Sequence, residues 1–161
     1  MNNLKFYTEP DIKKLLCKIR DAGLSAPAKM LSAAPAELVG VCNGIGAEWM
    51  SERSRAVLTK ALKYCEGAAA IHDFEYDAQT SSQPAADERF LLNALREVRY
   101  TFPQWWNWRR WLGERAALAA YEILSRTGKV AWALAYFDKH NGKDLDGERE
   151  QASESVSCGA K

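Results

Sequence analysis

The sequence predicts an all-α fold, a small helical domain in which two antiparallel helices carry the chemically interesting residues. Several segments repeat apolar residues at three- and four-residue spacing, and alternation of apolar and polar residues, typical of strands, is nearly absent. With 161 residues the chain is long enough to bury a continuous core. We therefore expect one helical domain over residues 1–138 and a flexible polar tail over 139–161, where charged residues, glycine and serine prevail.

The first predicted helix begins at Asp11, a capping residue, and ends before Gly23. Its apolar stripe consists of Ile12, Leu15, Leu16 and Ile19. Small residues and prolines between Ser25 and Pro35 then predict a loop with at most a short helix.

Two further helices are predicted in the middle of the chain. Apolar residues at 57–65 recur at helical spacing, and helix-forming residues at 68–76 follow, with Gly67 as a possible break. After a polar loop, Pro84 is well placed to open the next helix, which Pro103 ends. That helix carries an apolar stripe, and its first turn places Asp87 at the start of the stripe.

A tryptophan-rich segment follows Pro103 and leads into two alanine-rich helical stretches, which a predicted turn at Thr127-Gly128 divides. The segment contains Trp105, Trp106, Trp108 and Trp111 beside Arg109 and Arg110. Its helical spacing favours packing in a core or interface, whereas tryptophan beside arginine also suits a lipid interface. The solvent exposure of these rings distinguishes the two interpretations.

Bulk composition excludes several classes of protein. Lysine and arginine number 22 against 21 acidic residues, so no overall charge favours nucleic acid. No apolar run approaches the roughly 20 residues of a membrane-spanning helix, and the first residues lack the apolar core of a secretion signal. We expect synthesis in the cytoplasm, with delivery outside the cell by a phage or another non-classical route left open.

The four cysteines are widely separated and form no CxxC pair, which argues against a thiol-rich zinc site or a dense disulfide framework. Reduced thiols are expected. Cys42 and Cys65 are the one pair for which a bridge is worth testing.

The stretch from His72 to Asp77 reads His-Asp-Phe-Glu-Tyr-Asp and places Tyr76 on the same helical face as His72. A buried Asp87 costs several kcal/mol unless it is hydrogen-bonded, and a histidine on the facing helix is a suitable partner. The other ring nitrogen of His72 would then be able to take a proton from water. Asp73 points in a different direction and is placed to face a cation.

The segment from Cys42 to Ala47 reads Cys-Asn-Gly-Ile-Gly-Ala, and Gly44 and Gly46 allow an open loop to aim backbone carbonyls inward. Calcium favours carboxylate and carbonyl oxygens. The carbonyls near Cys42, Gly44 and Gly46, together with Asp73, therefore form the candidate calcium site. A cation there would polarise an ester carbonyl.

These residues resemble the phospholipase A2 superfamily: a glycine-rich NGIG loop, an HDxxYD helix and an AADxRF helix occur in that order. The resemblance covers residues 41–95 and is greatest to the compact type found in parvoviral capsid proteins and in small phage or prophage proteins. It implies that His72 is the base, Asp87 the carboxylate behind it, Tyr76 a supporting residue and Asp73 the calcium ligand. Asn43 and Ala69 stand where secreted members have cysteines.

Each motif also has a simpler interpretation. A histidine-aspartate pair is often a surface or satisfied core pair, Gly44 and Gly46 suit a tight turn, Asp87 suits a helix cap, and Tyr76 suits packing. The leading hypothesis is calcium-dependent hydrolysis of a phospholipid ester, with the membrane surface as substrate. The alternatives are a phage-derived structural or accessory protein of the same fold without catalysis, and a binding module that uses the tryptophans for a protein partner.

Overall fold

The computed structural model describes residues 7–42, 62–129 and 132–133, and these residues are predominantly helical, without a strand among them. The prediction of an all-α fold is confirmed. The helices are α1 (Glu9–Asp21), α2 (Ala28–Ser32), α3 (Pro35–Val41), α4 (Glu66–Ala78), α5 (Gln83–Thr101) and α6 (residues 108–129). Gly44, Gly46, most of the predicted helix at 57–65 and the predicted tail at 139–161 lie outside the described residues.

Helix α1 begins one turn earlier than its predicted cap. Thr8 is the N-cap, and Asp11 is the third helical residue, whose carboxylate accepts a hydrogen bond from the Thr8 backbone N–H. The two residues form a capping box. At the other end Gly23 adopts a φ of +62°, and the backbone N–H of Leu24 donates to the carbonyl of Ile19, so the predicted glycine stop is confirmed.

Helices α4 and α5 form the central antiparallel pair, in which the start of α4 lies beside the end of α5. Three consecutive alanines of α4, residues 68–70, are buried and allow close packing. On one side α4 packs with α1, α2 and α3 around Ile19, Met30 and Ile71. On the other side α4 and α5 pack with α6 around Phe90, Val98 and Ala117.

The predicted break lies at residues 62–65, which are not helical, rather than at Gly67, which belongs to the first turn of α4. A Cβ there would lie 3.1 Å from Oε2 of Glu97 and 3.0 Å from Leu24, so glycine is needed for close approach. The predicted turn at Thr127-Gly128 is wrong. Both residues are helical, and Thr127 Oγ1 donates to the carbonyl of Ile123.

Cys42 and Cys65 are buried free thiols that do not form a bridge. Cys42 belongs to the core beneath α1, whereas Cys65 belongs to the core between α4, α5 and α6. Burial raises the pKa of each thiol to about 12. Both side chains therefore remain protonated at neutral pH and lack the thiolate character of a nucleophile.

In the described part of the chain, no helix combines the length and the apolar character needed to cross a membrane.

Candidate functional site

The α4–α5 pair brings His72 and Asp87 into direct contact. His72 Nε2 lies 2.9 Å from Asp87 Oδ1, and both side chains are almost completely buried. His72 occupies the middle of α4, and Asp87 is the fifth residue of α5 rather than its cap, since Ser82 holds the N-cap position. The antiparallel packing of the two helices thus joins residues that are fifteen positions apart.

Two further side chains donate to the same carboxylate. The Tyr76 hydroxyl donates to Asp87 Oδ1 over 2.8 Å, and Gln83 Nε2 donates to Asp87 Oδ2 over 2.6 Å. Burial alone would raise the pKa of Asp87, but the hydrogen bonds from His72, Tyr76 and Gln83 outweigh it, so the net pKa is lowered. Asp87 is therefore a carboxylate at neutral pH.

These contacts require a proton on one nitrogen of the histidine ring and on the phenol oxygen. An ionised carboxylate can only accept hydrogen bonds, so the nitrogen of His72 that contacts Asp87 must carry a proton. In the neutral ring the other nitrogen, Nδ1, then has a free electron pair. Burial raises the pKa of Tyr76, and the hydrogen bond to Asp87 raises it further. The phenol hydroxyl therefore keeps its proton and donates it to the hydrogen bond.

Aromatic rings and one glycine enclose the centre. The Phe90 ring meets the His72 ring edge to face at 5.4 Å between centroids, and Trp132 meets Tyr76 in the same way at 4.8 Å. The carbonyl of Trp132 also accepts a hydrogen bond from Gln79 Nε2. Gly128 lies against the Tyr76 hydroxyl, where a Cβ would collide with it. The centre is thus lined by three helices, α4, α5 and α6.

Asp73 follows His72 on α4 and is half-buried. The Cys42 thiol donates to the carbonyl of Ala70, three residues before Asp73 on α4, over 3.7 Å. Burial raises the pKa of this thiol most, and the negative charge of Asp73 raises it further. Asp73 also raises the pKa of Tyr7. The end of α3 therefore lies beside the turn of α4 that leads to Asp73.

Gly44 and Gly46, the other two predicted calcium ligands, lie outside the described residues. Over residues 7–42, 62–129 and 132–133, no group of three or more histidine, cysteine, aspartate or glutamate side chains has the arrangement of a metal site.

Sequence reasoning missed Gln83, Glu75 and Glu97, all of which are buried. The spacing of Gln83 and Asp87, four residues apart on one helix, could have indicated their hydrogen bond. Glu75 pairs with Arg89 and accepts from Ser81 Oγ, while its Oε2 is buried and has no hydrogen-bond partner among the described residues. Burial raises the pKa of Glu75 despite the opposing effect of Arg89.

Glu97 forms a second buried acidic centre at the opposite end of α5. Its Oε1 and Oε2 accept hydrogen bonds from the backbone N–H groups of Gly67 and Ala68, at 3.1 and 2.9 Å. Lys18 Nζ lies 2.7 Å from Oε1. Glu97 therefore accepts hydrogen bonds from two amides in the first turn of α4 that have no acceptor within the helix, and it forms an ion pair with Lys18 of α1.

Comparison of the chain with known protein families, with curated proteins and with solved structures finds no match in any of the three.

Proposed function

We propose that the protein is a calcium-dependent hydrolase of phospholipid esters, of the phospholipase A2 type. The observation that carries the proposal is the buried Asp87 carboxylate, which holds Nε2 of His72 at 2.9 Å and leaves Nδ1 as the nitrogen that can act as a base. The hydrogen bonds from Tyr76 and Gln83 to Asp87 support the assignment, because they hold the carboxylate ionised in a buried position.

The roles of the side chains follow from these contacts. His72 Nδ1 would remove a proton from a water molecule as the water oxygen attacks the ester carbonyl carbon. Asp87 would stabilise the imidazolium that forms and keep the ring oriented, as a buried carboxylate behind a histidine does in other hydrolases. The imidazolium would then return the proton to the departing alkoxide as the ester C–O bond breaks. The products are a fatty acid and a lysophospholipid.

Asp73 and the backbone carbonyls of Cys42, Gly44 and Gly46 are the groups that would hold calcium. The contact of Cys42 Sγ with the carbonyl of Ala70, three residues before Asp73 on α4, supports this donor set. When bound, calcium would supply stabilisation of the oxyanion formed from the ester carbonyl.

The direct test is fatty-acid release from phospholipid vesicles with added calcium, compared with an excess of chelator. Wild-type protein should release fatty acid only in the presence of calcium. Calcium should also raise the melting temperature, because a ligand that binds the folded state stabilises it. Release that is insensitive to chelator, or no release under either condition, would contradict the proposal and favour a non-catalytic protein of this fold.

The chain contains two histidines, which provide a matched pair of variants. His72→Gln should reduce the rate by about two to four orders of magnitude, the usual contribution of a general base. Its melting temperature should remain close to that of the wild type, because glutamine can still donate a hydrogen bond to Asp87. His140→Gln makes the same chemical change at the other histidine of the sequence, which belongs to none of the motifs of the candidate site, and should leave the rate unchanged. Equal rates in the two variants would rule out His72 as the base.

A further inference from the structure

The tryptophan-rich segment is solvent-exposed, which excludes packing in the core of this chain and leaves a protein interface or a lipid interface as its interpretation. Trp105, Trp106, Trp108 and Trp111 have exposed fractions between 60% and 78%. Leu112 is exposed beside them, and Trp108, Trp111 and Leu112 share one face of α6. We call these four tryptophans and Leu112 the tryptophan surface. The interpretation that they pack into the core of this chain is wrong.

The exposure is not the result of a loose segment. Arg110 Nη1 donates to the carbonyl of Pro103, and its Nε donates to Glu114. Arg99, at the end of α5, donates to the same carboxylate over 2.9 Å. The backbone that carries the tryptophans is therefore fixed to both α5 and α6, with large rings pointing into solvent. Contiguous apolar patches of this kind usually mark an interaction site.

Positive charge surrounds the tryptophan surface. Residues 99–115 contain four arginines and one glutamate, a net charge of +3. The Arg109 guanidinium lies 5.6 Å from the centre of the Trp108 ring, and that of Arg115 lies 5.1 Å from the Trp111 ring. An open groove of about 400 Å³ between α1 and Tyr100 adds three lysines and one aspartate, Lys13, Lys14, Lys18 and Asp21. Aromatic rings beside cationic side chains suit a lipid interface, in which the interior is apolar and the headgroups are anionic.

The tryptophan surface is remote from the His72–Asp87 centre. Gly128 contacts Tyr76 at the centre, whereas Trp108 lies at the opposite end of the same helix. Twenty residues separate them, or about 30 Å along a helix axis. The surface also lies outside residues 41–95, which carry the resemblance to phospholipases. It is therefore not a wall of the candidate catalytic centre.

We propose that the tryptophan surface binds an anionic phospholipid membrane, with the indole rings at headgroup depth and the arginines on the phosphates. The charge complementarity favours this occupant over a second copy of the chain, since two copies would bring two sets of arginines together. Binding at this surface does not require hydrolysis, so it is measured independently of the proposed reaction.

The test is cosedimentation of the full chain with vesicles of phosphatidylcholine alone and of phosphatidylcholine mixed with phosphatidylglycerol, in the presence of chelator. The wild type should bind the mixed vesicles more tightly, and added salt should weaken that binding. The double variant Trp105→Ser/Trp106→Ser should lower the partition coefficient on mixed vesicles by about tenfold or more, where tenfold corresponds to about 1.4 kcal/mol. Arg109→Gln/Arg115→Gln should remove the preference for anionic vesicles.

A matched control is Leu92→Ser, which removes an exposed apolar side chain from α5, outside the tryptophan surface. It should bind vesicles as the wild type does, and so should His72→Gln. Equal loss in the leucine and tryptophan variants would overturn the proposal, because it would indicate nonspecific adsorption. Absence of vesicle binding by the wild type would also overturn it, as would a dimer that dissociates on Trp105→Ser/Trp106→Ser while vesicle binding is unchanged.

Discussion

Asp87 and Glu97 lie ten residues apart on α5, both are buried, and both accept hydrogen bonds from α4. They differ in the groups that donate to them. The donors to Glu97 are two backbone amides and a lysine, whereas those to Asp87 are an imidazole, a phenol and a carboxamide. Backbone amides do not exchange a proton with substrate, but an imidazole can. The difference indicates that Glu97 holds the helices together and that Asp87 orients a reactive group.

Removal of Glu97 should have the largest effect on stability. Glu97→Ala leaves the buried amides of Gly67 and Ala68 without acceptors and Lys18 without its carboxylate. We expect a loss of about 3 kcal/mol in the free energy of unfolding, measured in urea, because each orphaned group costs about 1–3 kcal/mol. Glu88→Ala, an exposed glutamate on the same helix, should change the free energy by less than about 0.5 kcal/mol.

Removal of Asp87 should have the next largest effect. Asp87→Ala leaves His72, Tyr76 and Gln83 without their acceptor, and we expect a loss of about 2 kcal/mol in urea unfolding. Unlike Glu97→Ala, it should also abolish ester hydrolysis under conditions where the variant is folded. If Glu97→Ala reduced the rate per folded molecule as much as Asp87→Ala, the division of roles between the two acids would be wrong.

The contribution of Asp87 should also depend on pH. Its pKa in the folded protein lies below its ordinary value of 3.8, so the ionised form is favoured by folding. This stabilisation is fully present above the unfolded pKa and is lost as the pH falls through the folded pKa. Unfolding titrations should therefore show a stability difference between wild type and Asp87→Asn that is constant near pH 7 and shrinks below pH 3.8. If the stability difference between the two proteins grew as the pH fell, Asp87 would not be a hydrogen-bonded carboxylate in the folded protein.

A smaller effect is expected at Gly128, where a methyl group would displace the Tyr76 hydroxyl from Asp87. Gly128→Ala should destabilise the protein by about 1–2 kcal/mol, the usual cost of overpacking, although alanine is the better helix former. Gly40 in α3 has open space around it, so Gly40→Ala should instead stabilise by about 0.5–1 kcal/mol. Thermal unfolding should show a melting temperature below that of the wild type for Gly128→Ala and above it for Gly40→Ala. Equal stabilisation by the two substitutions would show that Tyr76 adjusts without cost.

The smallest effect is expected at Glu75, the buried acid whose pKa is raised rather than lowered. Burial outweighs Arg89, so the ionised form costs stability as the pH rises above the ordinary value of 4.5. Glu75→Gln removes that cost while keeping a polar side chain for Ser81 and Arg89. We expect a change of about 1 kcal/mol or less at neutral pH, with the stability of the variant relative to wild type increasing as the pH rises. If the stability of Glu75→Gln relative to the wild type fell as the pH rose, the pKa of Glu75 would be lowered by folding rather than raised.

Sequence reasoning located the helix boundaries where glycine or proline imposes them, as at Gly23, Pro84 and Pro103. It also anticipated the contact between His72 and Asp87, because a carboxylate on an apolar stripe requires a partner. Glu75 and Glu97 gave no such signal, since a glutamate on a helix is most often solvated. Their burial follows from how α4 meets α1 and α5, which local patterns do not contain.

The errors at Gly67 and Gly128 share one cause. Glycine within a helical pattern suggests a break, but both residues are helical and lie where a neighbouring side chain comes too close for a Cβ. The tryptophans were misleading for a different reason. Helical spacing of large rings indicates that they share a face, but not whether that face meets protein or solvent.

The position of Trp132 against Tyr76 has a practical consequence for fragment design. The centre takes its histidine from α4, its aspartate from α5 and one of its walls from a ring sixty residues after His72 in the chain. A shortened protein that ended at the close of α5 would retain the His72–Asp87 pair in its sequence but would leave Tyr76 uncovered to bulk water. Any excised piece intended to preserve the chemistry must consequently extend through residue 132.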